Sequence, residues 1–440
     1  MREKAKGFMF YVAFVASLGG FLFGFDTVVV SGAEKGIQAY YGLSGWLHGF
    51  TMAVALFGTI AGALFCGRPA ETFGRLASLK AIAYLYLFSA LGCALVTNWW
   101  ALVFFRFMGG VAVGASSVVG PMYIAEIAPA DWRGRFVAFF QFNIVLGLVT
   151  AYVSNWWLSG LGLQDDWRWM LGVLAVPSAL FAALLYTIPE SPRWLVLKGR
   201  KSEAGNVLEK IGDTDVGRAL AQIEASVSES AESEPLFQKK YWKPILIAFF
   251  VATFNQLSGI NAINYYAPRI LETAGVFRES ALLQSIFIGL TNLVFTMLGM
   301  VLIDKFGRKN LLYVGSVFMT AALLSVAAGF KFESLGGYYM LFSLMLFIAA
   351  FAMSLGAVIW VLISEVFPTS VRAKGQVFGS MTHWTWCALL TWVFPTLVES
   401  GLSVPTFCFF ALMAALTFAF AMKLPVTKNK SLEEIQRELT

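Results

Sequence analysis

The sequence predicts an all-α membrane protein with twelve transmembrane helices in two six-helix, pseudo-symmetric bundles. Of its 440 residues, 58% are hydrophobic and only 13% are charged, whereas soluble proteins have about 25% charged residues. Apolar stretches of about 20 residues, the length that crosses a bilayer, recur twelve times along the chain. Two short motifs also occur once in each half. Together these observations exclude an ordinary soluble protein.

The twelve spans lie between interruptions by charged residues, glycine and proline. Their predicted limits are 8–30, 47–67, 77–96, 99–122, 136–158, 168–187, 243–267, 281–303, 310–329, 338–364, 375–397 and 402–424. The first stretch is long, contains Asp26 and has no small-residue cleavage site, so it is interpreted as a retained span and not as a signal peptide. The resulting division is an N-terminal bundle at 1–188, a cytoplasmic linker with short helices at 189–242, a C-terminal bundle at 243–424 and a cytoplasmic tail at 425–440.

Basic residues predict the orientation of these spans. With the N-terminus inside, 26 of the 32 Lys and Arg residues fall on the cytoplasmic side and five on the opposite side. Arg106 alone is left, in the middle of the fourth span. The same count places every acid except Asp26 in a loop or at a helix end. We therefore expect a multi-pass protein of the plasma (inner) membrane with both termini in the cytoplasm.

Two motifs indicate an internal duplication. The pattern E-x-x-P-x-x-x-R begins at Glu126 and again at Glu365, and F-G-R begins at Phe73 and again at Phe306. Each pair follows equivalent spans of the two halves, which chance matches would rarely do. Transporters built from such repeats place their substrate site near the bilayer midplane, where the repeats meet.

Asp26 and Arg106 are the strongest functional signal. A charged residue at mid-membrane costs about 2.5–3.5 kcal/mol on insertion scales, so we expect the two side chains to face each other. Burial favours a neutral carboxyl group and a nearby guanidinium favours a carboxylate, so a change in their separation would change the proton occupancy of Asp26. The alternative is a fixed ion pair that only joins two helices.

Amide and aromatic side chains within the spans are the second signal. Uncharged amides and aromatic faces bind a hydroxyl-rich ligand without the cost of desolvating charges. Because an unpaired amide in lipid is costly, their number predicts a water-filled cavity. The candidates are Gln141, Asn255, Gln256, Asn261, Asn292, Trp360 and Trp384. Interhelical hydrogen bonds for the amides and interfacial anchoring for the tryptophans are the alternatives.

Four stretches carry a resemblance to a known family. They are Gly19-Gly20-Phe21-Leu22-Phe23-Gly24-Phe25-Asp26, Arg106 with Gly109-Gly110, Pro189-Glu190-Ser191-Pro192-Arg193, and Gln256-Leu257-Ser258-Gly259-Ile260-Asn261. With them the chain resembles the sugar porter family of the major facilitator superfamily over nearly its full length. The resemblance implies two bundles that rock about a central sugar site, and proton coupling through Asp26 and Arg106. It adds Phe23, Tyr265, Phe351 and Gly356 to the expected sugar site.

The resemblance also implies a cytoplasmic latch of charge pairs that joins the halves when that side is closed. Its expected members are Glu71, Arg75, Glu126, Arg133, Glu190, Arg193, Asp304, Arg308, Glu365 and Arg372. Positive-inside topology would explain the arginines, but not the acids beside them.

The chain departs from the family pattern at four positions. Asn255 replaces the first of two glutamines, His383 replaces a pocket amide, Ala357 replaces a proline and Val426 replaces a glutamate. His383 is either a ligand contact or a packed, neutral imidazole.

The predicted function is import of a monosaccharide, a hexose or a pentose, by proton symport with alternating access. A passive facilitator on the same fold is the nearest alternative, and a non-transporting sugar sensor is less favoured because the tail is short. The absence of a nucleophile motif and of a Walker-type phosphate loop argues against an enzyme and against ATP as the energy source.

The expected partners are the sugar, the proton and the lipid bilayer, and we expect a monomer. The net charge of +6 is too small and too scattered for a nucleic-acid-binding protein. Four cysteines without metal-like spacing predict neither a metal site nor a disulfide framework, and no cofactor is expected.

Overall fold

The computed structural model describes residues 3–212, 215–228, 234–368 and 370–425, which form helices and connecting turns without a β-strand. The first eleven helices are α1 (Glu3–Tyr41), α2 (Gly45–Phe65), α3 (Gly67–Phe73), α4 (Arg75–Leu95), α5 (Trp99–Ile127), α6 (Ala130–Ser159), α7 (Asp166–Gly172), α8 (Ala175–Leu184), α9 (Pro192–Leu197), α10 (Lys201–Lys210) and α11 (Val216–Ser228). The remaining eight are α12 (Trp242–Leu257), α13 (Ile260–Thr273), α14 (Arg278–Phe306), α15 (Arg308–Lys331), α16 (Gly336–Phe351), α17 (Ala357–Val366), α18 (Arg372–Glu399) and α19 (Ser403–Lys423).

Eleven stretches among the described residues are long and apolar enough to cross a membrane, and they correspond to eleven of the predicted spans. The remaining predicted span, 375–397, lies within α18, whose 28 residues include polar side chains that lower its hydropathy. Counting α18 gives the twelve-helix, all-α membrane fold. The predicted linker helices are present as α9, α10 and α11. The predicted tail helix and Val426 lie outside the described residues.

Three spans that the hydropathy pattern predicts as continuous are each built from two helical pieces. They are α7 with α8, α12 with α13, and α16 with α17, the last pair joined by a π-helical segment at Ala352–Gly356. Gly259 separates α12 from α13 with a φ of +89°, a left-handed conformation that glycine adopts without strain. A Cβ at this position would also overlap the Phe410 ring. Interrupted helices leave backbone groups free to bind ligands at membrane depth.

The sequence predicted that Asp26 and Arg106 would be the only charged residues within the spans, and this is wrong for Glu34 and Arg269. Helix α1 continues to Tyr41, well past its predicted limit at residue 30, so Glu34 lies on a helix and is buried. Arg269, which we placed in an outer loop, lies on α13 and is also buried. Asp26 is therefore not the only acid within a span. A hydropathy pattern places the end of a span at a charged residue. A helix can continue past such a residue when a group on a neighbouring helix pairs with its charge.

The chain forms two compact units. The first contains the described residues of Met1–Thr27, Gly58–Ala151 and Arg168–Glu232, and in it α4 packs against α5 and α8. The second contains those of Val28–Phe57, Tyr152–Trp167 and Ser233–Thr440. There α15 packs against α16 and α19, and α12 packs against α18. The division into two six-helix bundles at 1–188 and 243–424 stays a prediction.

Candidate functional site

Asp26 on α1 and Arg106 on α5 lie close together inside the first unit. The Arg106 Nη1 atom is 3.8 Å from the Asp26 Oδ1 atom, and the two side chains are 3% and 8% exposed. This separation is that of an ion pair and is too long for a hydrogen bond. The Nε and Nη2 atoms of Arg106 have no hydrogen-bond partner among the described residues. The acid is therefore paired in charge but not clamped by hydrogen bonds.

Two buried hydroxyl groups that the sequence did not single out lie in the same unit, and one of them is close to Asp26. Tyr86 on α4 is fully buried and lies close enough to Asp26 to interact with its charge. Its hydroxyl group faces that of Ser116 without a well-formed hydrogen bond. A tyrosine or serine in an apolar stretch gives no sequence signal, because only the fold shows which charge it faces. Both hydroxyl groups are free to donate to or accept from a group that enters this site.

The predicted amides of α12 and α13 form one hydrogen-bonded cluster in the second unit. Gln256 donates from Nε2 to the Asn255 Oδ1 atom over 2.9 Å and accepts at Oε1 from the Asn261 Nδ2 atom over 2.7 Å. Asn255 in turn donates to the backbone oxygen of Leu355, 3.2 Å away in the π-helical segment. The break at Gly259 lets one short stretch present amides from two helices.

Aromatic rings and one imidazole adjoin this amide cluster. A ring nitrogen of His383 lies 3.1 Å from Gln256 Nε2. The His383 ring centroid is 5.0 Å from that of Trp360 and 5.0 Å from that of Trp384. Trp360 is 43% exposed, so its ring is open to a ligand or to lipid. His383 is therefore a buried neighbour of Gln256.

The remaining predicted sugar-site residues are distributed over several helices. Buried Tyr265 lies on α13, and Phe351 and Gly356 flank or end the π-helical segment beside Leu355. Asn292 accepts a hydrogen bond from Thr296 on its own helix, 3.1 Å away. Phe23 and Gln141 belong to the first unit and are partly exposed.

In the first unit, two of the predicted latch residues, Arg75 and Glu126, form a buried ion pair. Arg75 donates from Nε and Nη2 to the two carboxylate oxygens of Glu126, each over 2.9 Å, and Ser191 donates to the same carboxylate over 2.5 Å. Glu190 accepts the backbone N–H groups of Arg75, Leu76 and Ser191 over 2.8–3.1 Å. Burial raises the pKa of the Glu190 carboxyl group, although these N–H groups and the Arg75 charge act in the opposite direction.

In the second unit, the equivalent pair is Arg308 with Glu365, whose Nη2 and Oε1 atoms are 2.6 Å apart. Asp304 lies 3.7 Å from Arg308, and Arg372 donates to the backbone oxygen of Phe367 over 3.2 Å. The two pairs come from the two copies of the repeated motifs, so the duplication seen in the sequence recurs as the same interaction.

The other latch candidates are exposed. The side chains of Glu71, Arg133 and Arg193 are accessible, and the backbone oxygen of Glu71 accepts the Trp194 Nε1–H group over 2.9 Å. Glu71 and Arg193 line a polar cavity of about 480 Å³ with the buried Arg75–Glu126 pair at its wall. The cavity is lined by Glu71, Arg75, Met122, Glu126, Arg193, Leu197 and Lys198.

Comparison with known proteins gives matches along almost the whole chain. The family model described as "Sugar (and other) transporter" matches residues 12–439. The D-xylose-proton symporter of Escherichia coli (strain K12) is 35% identical, covering 98% of this chain and 96% of that protein. The arabinose-proton symporter of Bacillus subtilis (strain 168) is 34% identical, covering 99% and 96%. A solved structure of the xylose transporter XylE from E. coli in an inward-open conformation superposes with a TM-score of 0.88 at 35% identity, covering 98% of this chain and 100% of that one.

Proposed function

This chain belongs to the sugar (and other) transporter family, and from that premise we propose that it imports a monosaccharide by proton symport with alternating access. The substrate class is a hexose or a pentose, and the two relatives named above are pentose-proton symporters. The multi-pass protein lies in the plasma (inner) membrane with both termini in the cytoplasm, since the basic residues concentrate on that side. Its partners are the sugar, the proton and the bilayer.

The buried Asp26–Arg106 pair is the observation on which the proton coupling rests. At 3.8 Å and an effective dielectric constant of about 20, the attraction between the charges is about 4 kcal/mol. Lengthening the separation to about 7 Å would reduce it to roughly 2 kcal/mol. A movement of a few ångströms between α1 and α5 therefore changes the free energy of ionising Asp26 by about 2 kcal/mol, which is enough to release or take up a proton.

The amide cluster is proposed to bind the sugar. Asn255, Gln256 and Asn261 already hydrogen-bond to one another. Sugar hydroxyl groups would therefore replace these hydrogen bonds and would not add to them. Such an exchange changes the free energy little for each bond and makes binding reversible, as transport requires. Trp360 and Trp384 offer aromatic faces beside the cluster for the C–H face of the ring.

The paired charges at the cytoplasmic ends are proposed to brace each half of the chain. Arg75 with Glu126 and Arg308 with Glu365 occupy equivalent positions of the two repeats. The first pair links α4 to α5, and the second links α15 to α17. This role fits the proposed division into an N-terminal bundle at 1–188 and a C-terminal bundle at 243–424.

The test is uptake of labelled hexoses and pentoses by proteoliposomes that contain the purified chain, with and without an imposed pH gradient. Proton symport predicts that an inward proton gradient drives at least one sugar above its equilibrium level. A final level that is the same with and without the gradient would instead indicate a passive facilitator. Absence of uptake of any sugar would refute the proposed function.

A further inference from the structure

A second set of buried charges lies in the second unit. Glu34 on α1 accepts at Oε1 from the Arg269 Nε atom on α13, 3.0 Å away, and its Oε2 atom is 2.7 Å from the His48 Nε2 atom on α2. The Glu34 and His48 side chains are 1% and 0% exposed. One carboxylate therefore serves two basic groups from two other helices.

Further polar groups surround these three residues. Arg269 Nη2 donates to the Gln38 Oε1 atom, and Arg269 Nη1 is 3.9 Å from the Glu399 Oε1 atom on α18. Gln38 Nε2 donates to the same Glu399 oxygen over 2.6 Å. Lys35 pairs with Glu272 over 2.5 Å at the more exposed edge. The charged groups around His48 are thus Glu34 and Lys35 from α1, Arg269 and Glu272 from α13, and Glu399 from α18, and the Tyr266 ring lies 6.5 Å away.

The helices that contribute these groups approach one another closely. A Cβ at Gly49 on α2 would overlap the carbonyl oxygen of Trp392 on α18. Trp392 Nε1 donates to the backbone oxygen of Trp46 over 3.1 Å, and the Tyr266 hydroxyl donates to the backbone oxygen of Thr391 over 3.0 Å. The contact therefore closes the ends of α1 and α2 against α13 and α18. The distribution of basic residues assigns these ends to the outer side of the membrane.

The imidazole is placed where its protonation would disturb this contact. With His48 neutral, Glu34 and Arg269 form an ion pair, and the Glu399 carboxylate lies 3.9 Å from the same guanidinium. With His48 protonated, two positive charges share the Glu34 carboxylate, and the added N–H group at Nδ1 would have no acceptor, because that atom has no hydrogen-bond partner among the described residues. The buried N–H group without an acceptor disfavours the packed arrangement relative to one in which the helices separate and water reaches His48.

We infer that Glu34, His48 and Arg269 form a second proton-binding site, an outer latch that opens when His48 takes up a proton from outside. The packed arrangement leaves the Nδ1–H group of a protonated imidazole without an acceptor, so closing the latch favours loss of the proton and protonation favours separation of α13 from α1. This inference rests on the proposed function, since it presumes that the outer side opens and closes during transport. It adds a site distinct from Asp26, and it predicts that external acid favours the outward-open form.

The experiment measures access to the closed face from outside. Ser31 lies one turn before Glu34 on α1 and is buried, so a Ser31→Cys thiol should react with an impermeant maleimide only when the latch opens. Exposed Ser44, as Ser44→Cys, reports the ordinary effect of pH on the thiol. The reaction rate at Ser31→Cys is divided by that at Ser44→Cys at each external pH in proteoliposomes. All variants also carry Asp26→Asn, so that any pH response does not arise from Asp26.

The normalised rate should rise at least about fivefold between about pH 7.5 and about pH 5.5. His48→Gln, which keeps a side-chain amide able to donate to Glu34 but cannot gain a proton, should abolish the rise. Lys35→Gln, a matched change at the exposed edge, should leave it intact. A flat profile in the parent, or an unchanged rise in His48→Gln, would overturn the inference and leave a fixed structural cluster.

A parallel uptake assay without the Asp26→Asn substitution separates this inference from the proposed function. Sugar uptake with a flat labelling profile would refute the latch alone. A pH-dependent labelling profile without uptake of any sugar would refute the proposed function, while the proton-dependent opening would remain.

Discussion

Replacing Asp26 by asparagine tests the proton coupling most directly. Asparagine has nearly the same shape but cannot take up a proton, so Asp26→Asn removes the charge and leaves the volume of the site unchanged. The attraction lost is about 4 kcal/mol at the observed 3.8 Å. Leaving a buried guanidinium without its counterion costs about 3–5 kcal/mol in stability. We expect the lower end of that range, because Arg106 makes no hydrogen bond to Asp26 that would also be lost.

The functional consequence is more specific. With one proton per sugar, a gradient of one pH unit supplies about 1.4 kcal/mol, which supports about a tenfold accumulation of sugar. Asp26→Asn should lower this ratio to one, whereas exchange of labelled for unlabelled sugar across the membrane should continue. Asp26→Glu keeps a titratable carboxyl group and is the matched control, for which we expect some accumulation to remain.

The assay is uptake of labelled sugar into proteoliposomes with the interior made alkaline, paired with counterflow without a gradient. Accumulation that survives in Asp26→Asn would show that the proton binds elsewhere. Loss of both accumulation and exchange in a variant that is still folded would show that the pair only holds α1 and α5 together. Only loss of accumulation with exchange retained agrees with the proposed role.

Three further predictions concern the sugar site and the cytoplasmic pairs. Gln256→Ala removes a buried amide with three side-chain partners, so sugar affinity should fall by about 1–3 kcal/mol in a binding titration, and unchanged affinity would place the sugar elsewhere. Trp360→Ala should weaken binding without loss of thermal stability, because its partly exposed ring is not part of the packed core; equal affinity would mean that the ring faces lipid only. Arg75→Met should lower stability by about 3–5 kcal/mol, since it leaves Glu126 buried and unpaired, and thermal unfolding in detergent measures this. The exposed pair partner Arg200, changed to Met, is the control, for which a loss above about 1 kcal/mol would contradict the reasoning.

The sequence predicted the span count, the orientation and most of the helices, because lipid imposes a length and an apolar composition on each span that can be counted along the chain. It failed where a helix is interrupted without a change in hydropathy. The left-handed Gly259 and the π-helical segment at Ala352–Gly356 lie inside apolar stretches. The backbone groups that such a break frees are satisfied by groups elsewhere in the fold, which the sequence of one stretch does not reveal.

For the candidate site, the sequence identified which amides are unusual but not which of them meet. Asn255, Gln256 and Asn261 are close in the chain, and their cluster could be expected from the motif. The contact of Gln256 with His383, 127 residues away, could not. Asn292, singled out on the same grounds, hydrogen-bonds within its own helix. Residue type indicates that a polar group needs a partner, whereas packing decides which partner it finds.

The sequence by itself determined that this chain spans a membrane and that Asp26 and Arg106 need each other. It determined these because the cost of charge in lipid acts on each residue whatever its neighbours. Only the tertiary structure decided that Glu34 and Arg269 belong to the buried interior and share one contact with His48. Their cost is cancelled by partners on other helices, and a cancellation of that kind exists only once those helices have packed together.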